Sequence, residues 1–183
     1  MGVVPTLPAW SVGEDITAAD LQLMVDAQSW DFATRPVAFM VQTVAQTGWT
    51  SATFTAVTFT TEAIDRDGQH STTVNTSRVT IGGTLGWYRV SGLYAAAANG
   101  VATLVRTAIG FNGTNVNGSY SAQSPSSAAV VLGVPTGTVL VQATAATDYV
   151  ELLGAMTAAS GTIGTAVAGS GSASSLLVEW IGS

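Results

Sequence analysis

The spacing of apolar positions changes at Pro36. Before it, in ITAADLQLMVDAQSW (16–30), Leu21, Met24, Val25 and Gln28 recur at the spacing of one helical face, and Leu23, Ala27 and Trp30 at that of a second. Thr17 stands where a helix needs its cap, and Asp20, three residues on, completes a capping box. Ile16 and Leu21 hold the two positions of a hydrophobic staple. The pattern predicts a helix of about three turns that stops short of Pro36.

From Val37 onward the chain runs in short apolar or alternating stretches rich in Val, Thr and aromatic residues, broken by Gly, Asn and Pro. Strands are predicted at 37–44, 52–59, 77–81, 87–97, 102–111, 128–134, 138–144, 149–156 and 175–182. The Asn-Gly pair in FNGT (111–114) predicts a type I′ hairpin, because both central residues of that turn need positive φ. The small, polar stretch 158–174 reads as a long surface loop. These elements predict an all-β fold, a jelly-roll sandwich of about eight to ten antiparallel strands. A short N-terminal helical anchor segment (1–36) precedes this β domain (37–183).

Charge sharpens the picture. Only 9% of residues are charged while 47% are hydrophobic, against about 25% charged in an ordinary soluble domain. A free monomer would lack the usual charged coat, so part of the surface is expected to be covered by other subunits. The net charge is −6 and all five basic residues are arginine, which leaves no footprint for gripping phosphate backbones. Nucleic-acid binding is not expected. No apolar run is long enough to span a bilayer, and the first residues lack a secretory signal; neither membrane insertion nor conventional export is expected. With no cysteine, disulfides and thiolate metal sites are excluded.

Candidate chemistry concentrates in TEAIDRDGQH (61–70), which carries Glu62, Asp65, Arg66, Asp67 and the sole histidine, His70. Asp65, Asp67 and Gly68 resemble the opening of a calcium loop, but Thr76 stands where that loop would place its bidentate glutamate. The stretch is expected to be a solvated turn. One histidine excludes multi-histidine metal sites, and no GxSxG elbow is present. Asp148 and Glu151, three apart on a strand, would point to opposite faces rather than act as a carboxylate pair. No enzyme activity, cofactor or metal is expected. The Asn-x-Ser/Thr triplets at Asn75, Asn112 and Asn117 imply no glycosylation without a signal peptide.

The aromatic residues divide by position. Trp87, Tyr88, Tyr149 and Trp180 lie within strand patterns and are expected in core or subunit packing. Trp10 and Trp30 lie outside the β domain and, with Leu21, Met24 and Val25, are the expected attachment residues.

From about Thr50 to Ile181 the order of motifs resembles the trimeric jelly rolls of the tumour necrosis factor and complement globular-head superfamily, particularly phage-encoded relatives. The resemblance rests on VTF (57–59), IDRDGQH (64–70), SRVTI (77–81), GWYRV (86–90), IGFNGT (109–114), TDYVELL (147–153) and SLLVEWIG (175–182). Gly86, Tyr88 and Val90, then Asn112 and Gly113, then Asp148 and Val150 take the positions of recurring family motifs; Thr147 departs from the usual glycine. The leader PAWSVGEDITAADLQLMVDAQSWDFATRP (8–36) is similar to those of actinobacteriophage structural proteins. The resemblance implies a homotrimeric phage virion protein, made in the host cytoplasm and placed on the virion surface as head decoration. Residues 1–36 would attach it to other virion proteins of a capsid or tail lattice. The competing expectation is a minor tail protein or knob that binds a host surface glycan or receptor.

Overall fold

The computed structural model of the protein describes residues 15–30, 35–125, 131–166 and 173–183. Trp10 lies outside the described residues. Helix α1 spans Ala18–Ser29, and its start is the predicted one: the Asp20 amide donates to Thr17 Oγ1 at 3.2 Å, and the Thr17 amide donates to Asp20 Oδ2 at 2.9 Å. Ile16 and Leu21, at the staple positions, are both more than half exposed. No residue of the helix is buried. Among the described residues no helix is long and apolar enough to cross a membrane.

Among the described residues twelve strands follow: β1 (Val37–Val41), β2 (Thr55–Ala56), β3 (Glu62–Asp65), β4 (Arg78–Thr80), β5 (Gly86–Ala96), β6 (Ala102–Phe111), β7 (Thr114–Asn115), β8 (Ser121–Gln123), β9 (Leu132–Pro135), β10 (Val139–Ala143), β11 (Tyr149–Ala158) and β12 (Ser175–Gly182). They form two antiparallel sheets of six. The first runs β10-β5-β12-β1-β3, with β9 also paired to β5; the second runs β2-β11-β6-β7, with β4 on β11 and β8 on β6. The two sheets enclose one core, in which Tyr88, Tyr94, Phe59, Met40, Ile81, Ile109 and Leu152 are fully buried. The all-β sandwich is thus the observed architecture.

The strand count exceeds the expected eight to ten because several strands are only two to four residues long, too short to show a period. The predicted strand 52–59 narrows to Thr55–Ala56. Ala52 takes φ +64 there, and the remainder is held by single bonds, from the Val57 amide to Leu152 O (2.9 Å) and the Phe59 amide to Thr76 O (2.7 Å).

Part of the stretch expected as a surface loop is packed. Ile163, Gly164, Thr165 and Ala166 are buried, and Gly164 O accepts from the Tyr94 hydroxyl at 2.6 Å and from the Ala97 amide at 3.1 Å. Gly164 has φ +154, and a Cβ there would lie 1.9 Å from Gln46 O. The small residues that suggest an exposed loop instead permit backbone to lie against backbone. The hairpin prediction holds: Asn112 and Gly113 have φ +49 and +79 between β6 and β7.

Candidate functional site

The charged stretch 61–70 differs from the expected solvated turn. Glu62–Asp65 is edge strand β3, paired with β1, and the His70 side chain is wholly buried. The Asp65 carboxylate accepts from the amides of Gln69 (2.9 Å) and His70 (3.1 Å), closing the turn that folds the histidine inward. The imidazole then bridges two segments. Nε2 lies 3.1 Å from Thr76 O, and Nδ1 lies 2.9 Å from Glu62 Oε1. Because His70 also forms a bridge to Val79 of the second sheet, the cluster ties the edge of one sheet to the other. Its charges are concentrated because they fasten a corner of the sandwich.

The acidic pair at the other end of the sequence is equally structural. Asp148 accepts from the amides of Thr144 (2.7 Å) and Ala145 (2.9 Å) and from Asn112 Nδ2 (2.8 Å). Those bonds, the Thr144 amide first, hold its carboxyl below the usual carboxylate range against the opposing effect of burial. Glu151 accepts from Ser77 Oγ (2.9 Å) and Arg78 Nε (3.4 Å). Each carboxylate is committed to its own partners. Among the described residues no group of three potential metal ligands occurs.

A cavity of about 430 Å³ opens beside His70, lined by Gln69, Asn75, Arg78, Thr147 and Tyr149 among others. The Arg78 guanidinium sits 4.1 Å above the centre of the Tyr149 ring, so that ring face is occupied.

The outer face of the first sheet is the more unusual surface. In β1 the residues Val37, Phe39 and Val41 point away from the core while Ala38 and Met40 point into it. In β12 Ser175, Leu177, Glu179 and Ile181 take the outward positions. The register lines them up: Ser91 opposes Leu177, Leu177 opposes Phe39, and Phe39 opposes Ile64, a row across four strands. Toward one end, Trp87 and Ile181 are each 42% exposed and Leu140 54%. Between the two apolar areas Glu179 receives Arg35 Nη2 at 2.7 Å and also Arg89 Nη2, leaving that carboxylate side chain only 15% exposed. A sheet face with this composition normally meets a partner rather than water.

The sequence-selected residues fall into three environments. Tyr88 and Trp180 are core: the Tyr88 hydroxyl donates to Thr84 O (2.8 Å) and Trp180 Nε1 to Leu85 O (3.1 Å). Trp87 points outward on the first sheet, whereas Tyr149 is half-buried on the second, so the two do not share a face. Leu21, Met24 and Val25 are exposed along α1, and they line an open groove with Ala27 and Gln28. Trp30 packs against its own chain, edge-on to Trp180 with ring centroids 5.0 Å apart. The row Ser91–Leu177–Phe39–Ile64 was not among the candidates, though the unbroken apolar run VAFMV carries its signal. A strand apolar at every position has two faces to bury.

No protein-family model matches the chain, and no curated protein matches its sequence.

Proposed function

We propose that the protein is a structural component of a phage virion, a homotrimeric surface protein attached to the underlying capsid lattice through residues 1–36. The observation that carries this reading is the apolar outer face of the first sheet, where Phe39, Leu177, Ile64, Trp87, Leu140 and Ile181 lie outside the monomer's core. Copies of this chain are the occupant that the composition supports. With so few charges available, the subunit covers its apolar surface by self-association rather than by a charged coat. Helix α1 adds a second unburied apolar element in the segment assigned to attachment. A 12-residue helix of this kind is marginal by itself and gains stability by docking. Three copies joined in one trimer convert modest single-site affinity into firm attachment.

The receptor-binding reading finds less support. Its foothold is the cavity beside Tyr149, and Arg78 covers the ring face on which a sugar would stack. The discriminating experiment compares full-length protein with a variant lacking residues 1–36 for incorporation into particles. Loss of incorporation with the β domain still folded supports the attachment role; undiminished incorporation refutes it.

A further inference from the structure

The chain contains three Asn-Gly steps, at Asn99, Asn112 and Asn117. This dipeptide is the one most open to spontaneous loss of the side-chain amide, because glycine leaves the following backbone nitrogen unshielded. The reaction has strict geometric needs: the Asn Cγ must swing onto the next residue's nitrogen. The fold treats the three sites differently.

Asn99 is buried and fully engaged. Its Nδ2 donates to Ser160 O (3.0 Å) and Thr162 O (2.8 Å), and its Oδ1 accepts from the Val101 amide (3.0 Å). Asn112 is engaged at both ends as well, donating through Nδ2 to Asp148 Oδ1 (2.8 Å) and accepting at Oδ1 from the Tyr149 amide (3.0 Å). For either side chain to reach the neighbouring nitrogen, these bonds must first break, which requires local opening.

Asn117 has no such restraint. Among the described residues neither its side chain nor the Gly118 amide makes a hydrogen bond, and both residues are exposed. Their neighbours are pinned: the Val116 amide donates to Ile109 O (2.8 Å), Ser119 Oγ donates to Val116 O (2.7 Å) and accepts from the Ile109 amide (2.9 Å), and the Gly137 amide donates to Ser119 O (3.0 Å). Asn117 and Gly118 are thus the two central residues of a turn closed by the Ser119 amide on Val116 O (3.2 Å), with the Asn117 side chain and the Gly118 amide themselves unbonded.

We propose that Asn117 is a site of spontaneous deamidation in the folded protein, while Asn99 and Asn112 are protected by their hydrogen bonds. The Gly118 nitrogen forms a bond to Asn117 Cγ and gives up its hydrogen; the Cγ–Nδ2 bond breaks and ammonia leaves. Water then opens the succinimide ring at either carbonyl, giving an aspartyl or an isoaspartyl residue at position 117. The isoaspartyl product lengthens the main chain by one methylene between Val116 and Ser119. It does so where Gly118 O already lies against Gly137, at which a Cβ would come within 2.1 Å of that oxygen.

Full-length protein is incubated at mildly alkaline pH, and peptide mass mapping follows the exchange of NH for O at the three sites, with a parallel sample in denaturant. In the native sample conversion at position 117 is expected to outrun the other two by roughly tenfold or more, and this lead should collapse in denaturant. Equal native rates at the three sites, an unreacted Asn117, or a lead that persists unchanged in denaturant would overturn the assignment.

Discussion

The indole of Trp30 meets the indole of Trp180 edge-on, with centroids 5.0 Å apart and planes at 88°. Trp180 closes one end of the core and donates to Leu85 O, so Trp30, at the C-terminal end of α1, is fastened to the sandwich. Arg35 holds Glu179 on the outer face of the same strand. Trp30 and Arg35 therefore both contact β12 while the apolar side chains of α1 remain exposed.

Replacing Trp30 with alanine should cost the sandwich about 1–2 kcal/mol, an edge-to-face aromatic pair plus partial burial. Denaturant unfolding followed by far-ultraviolet circular dichroism checks this. An unchanged midpoint would show that the Trp30–Trp180 contact is not energetically engaged.

His70→Ala should be among the more costly single changes, at about 2–4 kcal/mol, because it opens a buried cavity, removes the imidazole from Glu62 and leaves Thr76 O with the Phe59 amide alone. The same substitution should raise hydrogen exchange in β3 before the rest of the first sheet. Uniform exchange behaviour would argue against the corner-fastening role of the imidazole.

Asp148 supplies the acid side of the stability profile. Its folded carboxyl titrates below its unfolded value, so its contribution is present at neutral pH and is lost as the pH falls below about 4, through the folded value. Asp148→Asn should lower the melting temperature at neutral pH and flatten that acid slope. An unchanged slope in thermal melts across the acid range would show that Asp148 does not contribute to it.

Phe39→Asp and Leu177→Asp probe the outward row. Both side chains lie away from the core, so each variant should stay within about 1 kcal/mol of the parent as a folded chain, yet lose self-association. Circular dichroism and sedimentation on the same samples separate the two effects.

The helix start, the long central strands and the Asn-Gly hairpin were legible because each has a strong local cause: a capping box, a sustained alternation, a turn with restricted φ. The short strand β3 was not, since an edge strand can carry charge on either side and Glu62–Asp65 reads as a polar turn. The burial of His70 was hidden for the same reason. Its partners Glu62 and Thr76 become neighbours only when the 66–77 segment folds across from one sheet to the other. Packing at Ile163–Ala166 is not legible in the sequence because small residues signal a loose loop and a tight backbone contact alike. The outer apolar row depends on register between strands up to about 140 positions apart, as with Phe39 and Leu177, which no local pattern encodes.

The mass of the purified protein in solution decides whether copies associate through the outer face of the first sheet. Light scattering is expected to give a particle of three chains of 18.5 kDa each, reduced to one chain by Phe39→Asp; a parent protein that stays at the single-chain mass would contradict it.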